Sequence, residues 1–393
     1  MSLNLNQPAF MPSVPAAPEP DVGARILFFA DASSVHTRRW VAAVADRGAE
    51  AIVITRQPAE VPGAREVIAV APGQDKLSWF KALPAVRRVA REVAARFHPT
   101  IVHGHYVTSY GLWAAACGLR CPVVLTAWGS DILVTPRESR LMRMVVAWSL
   151  RHADLITADS MDMISEIERY SPQAPCHQIL WGADTDVFHP GEPGDKGDDF
   201  DVVSLRSWEP NYNIDVIVEA FSRFLMQRPQ SQARLHLLGG GALKDELERR
   251  VQDLRLLQQV RFHGRVNDVE MVRAIQRSRV SVSVPTSDAT SVSVLESMAC
   301  GLPIIATDLP ANRQWVDERG GWVVPVRDVD ALTQALVQAY DQPEQAARMG
   351  THNRERIERD ASRRGQMDAM WRLYQRLLHP ITPRISRRRS VTG

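Results

Sequence analysis

From residue 25 onward, short β-rich apolar runs alternate with longer helical stretches, and after a polar break the same alternation starts again. This pattern admits little except a parallel sheet covered by helices on both faces, built twice. RILFFA (25–30), AIVIT (51–55), TIVHGHY (100–106), PVVLTAW (122–128) and ADLITAD (153–159) read as strands. Helical patterns fall at 36–49, 83–97, 109–118 and about 137–152. The segment HPGEPGDKGDDFD (189–201) is dense in Gly, Pro and charge, the composition of an interdomain linker. Strands DVVSLR, RLHLLG, QVRFHG, VSVSVP and PIIAT follow, separated by four helices, and from Ala331 to about Leu378 the pattern is helical. The expected class is α/β, with two doubly wound Rossmann-like parallel-sheet domains. Ligands of such sheets sit at the carboxyl ends of the strands, so a facing pair implies a site in the cleft between them.

Composition narrows the function. With 393 residues and 45% hydrophobic content, the chain can build two sizeable cores. A net charge of +2 argues against nucleic-acid binding by charge alone. The charge is unevenly spread: residues 24–150 carry 16 Lys/Arg against 9 Asp/Glu, whereas residues 151–379 carry 27 against 34. Cys117, Cys121, Cys176 and Cys300 lack Cys-x-x-Cys spacing and His-rich neighbours, so neither zinc nor a disulfide framework is indicated, and a reducing cytosol fits. Residues 1–23 lack the basic start and apolar core of a signal peptide and read as a disordered leader. The best apolar run, GLWAAACGLRCPVVL, is interrupted by Arg120 and falls short of the roughly 20 residues that a membrane helix needs. The expected location is cytoplasmic.

Three segments carry a resemblance. ILWGADTDVFHP (179–190), RLHLLGGGALKDELERRVQDLRLLQQVRFHGRV (234–266) and SVPTSDATSVSVLESMACGLPIIATD (283–308) agree in order and spacing with the motifs of glycosyltransferase family 4 (group 1). The chain thus resembles a retaining glycosyltransferase of the GT-B fold. The resemblance implies an N-terminal acceptor domain (24–190), a linker (191–200), a C-terminal nucleotide-sugar domain (201–360), a helix crossing back to the first domain (361–379) and a basic tail (380–393). It also implies transfer from a UDP- or GDP-sugar to a hydroxyl of a glycan or lipid-linked acceptor, in cell-surface polysaccharide synthesis.

Within SDATSVSVLESMACGLP (287–303), Ser293-Val294-Leu295-Glu296 reads as a capping box, with Gly301 as helix stop. A helix N-terminus also offers free N–H groups to a diphosphate, so capping and binding are compatible readings. By resemblance, Glu296 holds the ribose, and Ser291 and Val292 present backbone N–H groups to the phosphates. Asp288 stands where the family has Glu, one methylene shorter, and lies by the donor sugar. Arg206 fills the role of the Arg that meets the leaving diphosphate, a task suited to a bidentate donor, although a strand-end Arg is as readily structural. Tyr212-Asn213 replace the family's Lys-Gly. Gly239 and Gly241 line the nucleotide side by resemblance, with the backbone of Arg265 and Val266 holding the base; taken alone, a glycine run also serves a tight turn.

On the N-terminal side, His105 and Trp128 close successive strands and Asp131 follows, and these three are expected on the acceptor side. The family often has His where Trp128 stands. His36, Arg38 and Arg39 follow the first strand and suit a charged acceptor or, equally, a solvated helix start. The triplet Asp184-Thr185-Asp186 lies at a domain end rather than in a metal site, and the two-Rossmann architecture requires no metal: the nucleotide sugar is a co-substrate and no cofactor is expected. Basic amphipathic helices at 83–97 and 137–152 read as solvated faces or as contacts with an anionic membrane surface at the inner face of the cell membrane. Two other classes stay open on the sequence, a nucleotide-sugar 2-epimerase on the same fold and a non-catalytic carbohydrate-binding or scaffold protein.

Overall fold

The computed structural model describes residues 23–70, 78–192, 194, 196, 197 and 199–379. The leader at 1–22, the tail at 380–393 and parts of the linker lie outside the described residues. The first unit contains β1 (Arg25–Phe29), β2 (Glu50–Thr55), β3 (Ala64–Ala69), β4 (Ile101–His105), β5 (Val123–Thr126), β6 (Leu155–Ala158) and β7 (Cys176–Gln178), ordered β3-β2-β1-β4-β5-β6-β7. The second contains β8 (Phe200–Ser204), β9 (Ala233–Leu238), β10 (Val260–Gly264), β11 (Val280–Ser283), β12 (Ile304–Thr307) and β13 (Gly321–Val324), ordered β10-β9-β8-β11-β12-β13. Every pairing is parallel. Central strands such as β1, β4 and β11 are buried almost throughout because helices cover both their faces.

Three strands, β3, β7 and β13, go beyond the sequence reading. β3 is an edge strand carrying Arg65 and Glu66, and its half-exposed pattern lacks the apolar run that marks the others. The helix expected at 137–152 is divided. Thr135–Glu138 forms one turn, and a longer helix, Arg140–Arg151, starts afresh at Ser139, whose hydroxyl accepts from the Met142 N–H.

The chain crosses between units twice, and the two crossings touch. The Ala183 N–H donates to the Ala361 carbonyl at 3.0 Å, and the Arg363 N–H to the Ala183 carbonyl at 2.7 Å. A Cβ on Gly182 would lie 2.7 Å from the Arg363 backbone, and its φ of 65° is left-handed, so glycine is required twice over. Beyond this point the helix Arg363–Leu378 lays Met367, Met370, Trp371 and Tyr374 into the N-terminal core against Phe28, Trp40 and Val44. The Tyr374 hydroxyl accepts from Trp40 Nε1 at 3.2 Å and bonds His103 Nδ1 at 2.6 Å, while Arg47 pairs with Asp368 at 2.6 Å.

Because Trp371 is almost fully buried in that cluster, Trp371→Ala is expected to cost about 3–5 kcal/mol. Denaturant unfolding checks this, and a cost under about 1 kcal/mol would show that the returning helix contributes little to the first core.

Candidate active site

The carboxyl ends of β8 and β11 bring together the charged groups of the second unit. After β11 the chain turns through Asp288 into the helix Val292–Ala299. Ser291 is its N-cap, its hydroxyl accepting from the Val294 N–H at 3.4 Å, which corrects the expected box: Ser293 lies inside the first turn and Glu296 is too far along to return a bond. The Val292 and Ser293 N–H groups stand at the helix start, where no intrahelical acceptor exists.

Arg206, just past β8, is only 8% exposed and aims into this turn. Its Nη2 donates to Asp288 Oδ2 at 2.7 Å, and its Nη1 to Ser291 Oγ and, at 3.3 Å, to Ser293 Oγ. The guanidinium carbon lies 4.3 Å from the Tyr212 ring centroid. Tyr212 therefore adds no charge but holds the neighbouring charge against its π face. Asn213 takes a left-handed backbone (φ 50°), which Asn tolerates best after Gly, and donates to the Val284 carbonyl at 2.8 Å. Burial raises the Asp288 carboxyl above its ordinary range, and Arg206 opposes this.

The first unit supplies the facing wall. Together with Arg206, Tyr212, Asp288 and residues 289–293, the side chains of His36, Trp128, Asp159 and Trp181 line a cleft of about 350 Å³. Asp159, at the end of β6, is absent from the sequence-based candidates; an acid closing an apolar strand is its only signal. Thr290 bridges the units, its hydroxyl donating to the Asp159 carbonyl at 2.6 Å.

Two acceptor-side candidates are corrected. His105 is fully buried among Phe28, Trp40, Trp128 and Trp181, and neither ring nitrogen has a hydrogen-bond partner among the described residues. Burial and nearby His36 lower its pKa to about 3, so it is a neutral core residue. Asp131 is also fully buried and accepts from the N–H groups of Val107 (2.7 Å), Trp128 (3.0 Å) and Gly129 (2.9 Å). It ties the loop that carries Trp128 rather than facing a ligand. Arg38 is exposed and outside the cleft wall, whereas His36 lines it, its pKa lowered to about 4 by burial and by Arg39 and Arg363.

Glu296 lies deeper than Asp288 and does not share the cleft wall. It is 4% exposed and faces the other unit, where Arg39 Nη1 sits 3.4 Å from its Oε1 while Arg39 Nη2 reaches Asp268 at 3.1 Å. Burial pushes the Glu296 carboxyl up to about 7 against the pull of Arg39 and Arg363. Arg363 in turn pairs with Asp184 at 3.0 Å, which accounts for the first acid of the Asp184-Thr185-Asp186 triplet.

The glycine loop packs against the Arg206 loop. A Cβ on Gly239 would collide with the Arg206 carbonyl, and one on Gly241 with the Trp208 carbonyl. These glycines let two strand-end loops touch, and the Trp208 N–H donates to the Gly240 carbonyl at 3.1 Å. The exposed Arg265 side chain lies beside Gly240, and Val266 packs on the core below.

The raised Glu296 pKa makes stability depend on pH. The folded state holds the proton more tightly than the unfolded chain, so this contribution is complete below about pH 4.5 and is lost as pH rises toward 7. The buried histidines His36 and His105 act oppositely, losing stability as pH falls below their unfolded value near 6.5. Glu296→Gln removes only the first effect. At pH 8 this variant is expected to be more stable than the parent by up to about 3 kcal/mol, with the difference vanishing near pH 4.5. Denaturant melts at both pH values test this; a pH-independent difference would rule it out.

Comparison with known proteins agrees with this architecture. Residues 25–160 match the family described as "Glycosyl transferase 4-like", and residues 188–356 match "Glycosyl transferases group 1". The GDP-mannose-dependent alpha-(1-6)-phosphatidylinositol monomannoside mannosyltransferase of Mycolicibacterium smegmatis is 26% identical across 70% of this chain and 70% of its own. Sucrose-phosphate synthase from Thermosynechococcus elongatus superposes with a TM-score of 0.74 at 20% identity, covering 90% of this chain and 99% of that one. HepE of Anabaena, solved with UDP, gives 0.74 at 15% identity over 90% and 99%. At such identities the structural likeness speaks for the fold, which is GT-B, while the two consecutive family matches cover every strand but β7: the chain belongs to the group 1 (family 4) glycosyltransferases.

Proposed function

We propose that this glycosyltransferase moves a sugar from a UDP- or GDP-sugar, with retention at the anomeric carbon, to a hydroxyl of a glycan or lipid-linked acceptor in cell-surface polysaccharide synthesis. The observation that carries this reading is the buried Arg206, held at the first turn of the helix Val292–Ala299 by Asp288 and Ser291. A guanidinium and unpaired helix N–H groups at one point form an anion site, suited to a diphosphate whose charge grows as the glycosidic bond breaks. Asp288 lies beside them to meet the sugar or the positive charge developing on it. The base lies against the Arg265–Val266 backbone. Glu296 accepts the ribose hydroxyls in exchange for its contact with Arg39. Relatives and neighbours whose names mention GDP-mannose or UDP support a nucleotide donor. Neither a metal nor another cofactor enters this scheme. Arg206→Ala is expected to lower kcat about 10²–10³-fold, with Asp288→Ala also impaired, in assays of UDP or GDP release. Unchanged turnover in both variants would reject the site, release without any acceptor would favour an epimerase or hydrolase, and an inverted product by NMR would reject retention.

The acceptor side extends this proposal to an anionic membrane surface at the inner face of the cell membrane. On the helix Arg140–Arg151, Leu141, Met144 and Trp148 form one outward stripe, with Met144 69% exposed, flanked by Arg140, Arg143 and Arg151. Exposed apolar side chains amid arginines fit an anionic headgroup layer. In the helix Leu83–Phe97, by contrast, Arg87 donates to the Ala116 carbonyl and Arg96 pairs with Glu66, so those charges serve the fold. Among the described residues, no helix is long and apolar enough to cross a membrane. Sedimentation with phosphatidylglycerol vesicles at low salt is expected to pellet the parent and not a Met144→Glu, Trp148→Glu variant; equal behaviour of the two would refute this surface.

A further inference from the structure

Asp159 is a titratable group of the cleft wall that the scheme above leaves without a role. It follows β6 directly, is 4% exposed, and lines the same cleft as Asp288 and Arg206. Its backbone is fixed from both sides, the carbonyl accepting from Thr290 Oγ1 at 2.6 Å and from Gln178 Nε2 at 3.2 Å. Ser160, next in sequence, caps the helix Met161–Glu168 by accepting from the Met163 N–H at 3.2 Å. The side chain is thus held in place while its Oδ1 has no hydrogen-bond partner among the described residues. A buried polar atom left unpaired costs about 1–3 kcal/mol, and the carboxyl group that carries it belongs to a residue lining the cleft.

The neighbours decide which ligand group can satisfy it. The Arg206 guanidinium already engages Asp288, Ser291 and Ser293, and His36 is held neutral, so no cation of the wall is committed to Asp159. A phosphate is disfavoured beside two carboxyl groups, and an apolar group would leave the oxygen orphaned. A neutral hydroxyl can give or take one hydrogen bond and leaves the charge of the wall unchanged. Burial, with the Asp288 charge adding, also raises the Asp159 carboxyl well above the ordinary carboxylate range, which suits a neutral partner.

We propose that Asp159 is a specificity residue that hydrogen-bonds a hydroxyl of the sugar being transferred, so that the first unit joins Asp288 in reading the sugar while the second also holds the diphosphate. This rests on the nucleotide-sugar reading of the cleft. A site built to bond a hydroxyl rejects the analogue lacking it far more strongly than an apolar pocket can, so Asp159 governs which sugar is accepted.

The test separates the sugar from the nucleotide. Thermal shifts are measured for the full chain, Asp159→Asn and Asp159→Ala with UDP and GDP, then with a panel of UDP- and GDP-sugars including UDP-glucose and GDP-mannose. The parent is expected to gain more from one sugar nucleotide than from its diphosphate. Asp159→Ala should lose that extra gain while keeping the diphosphate response, and its kcat/KM for the same donor should fall at least tenfold. Asp159→Asn, which preserves volume and one hydrogen bond, should lie between, and serves if the alanine variant does not fold. An unaltered sugar increment in both variants overturns the inference, as does a parent that responds to a diphosphate but to no attached sugar. A parent that responds to no nucleoside diphosphate overturns the nucleotide-sugar reading and this inference with it.

Discussion

Where Ala183 and Ser362 meet, two passages of the chain between the units are hydrogen-bonded to each other through Ala183, Ala361 and Arg363. Two independent linkers would let the sheets swing freely, whereas two linkers joined to each other allow few relative placements. The contact demands a residue without a side chain at Gly182 and a helix that enters the opposite core immediately afterwards. The facing of His36, Trp128 and Asp159 toward Arg206 and Asp288 depends on that junction. Arg39, reaching across to Asp268 and Glu296, adds a second tie nearer the cleft.

Electrostatically the cleft, and the contact between the units beside it, gather compromised acids. Asp288 shares one guanidinium, Glu296 is pushed up to about 7, and Asp159 is raised well above the ordinary carboxylate range, its Oδ1 without a hydrogen-bond partner among the described residues. Burying carboxyl groups in this way costs stability and serves no structural end that caps or surface pairs could not meet more cheaply. Arg206 beside Asp288, and Arg39 and Arg363 beside Glu296, oppose that cost, and each of these arises from a different part of the chain.

Much of the fold is legible in sequence because parallel strands buried on both faces tend to be continuous apolar runs, as at 26–29 and 304–306. Edge strands escape because water replaces one neighbour, and Ala64–Ala69 keeps its Arg and Glu outward accordingly. The convergence of Arg206, Ser291 and Asp288 is also legible, since strand ends and helix starts are fixed by spacing. The direction in which a ring points is not. His105 at a strand end reads the same whether it faces the gap or, as here, a wall of Phe28 and Trp40. Likewise Asp131 looks available until the three N–H groups that occupy it are known, and Ser293 looks like a cap until Ser291 takes that place.

The Tyr212 ring over Arg206 replaces an ammonium with a surface. A site with two cations rewards any ligand for carrying more negative charge, so free pyrophosphate and triphosphates compete well there. With one guanidinium, itself half spent on Asp288, the remaining attraction comes from N–H dipoles whose directions are fixed by the helix. In its proposed role of holding a diphosphate, such a site counts oxygens by position rather than by charge, and discriminates among polyanions by shape.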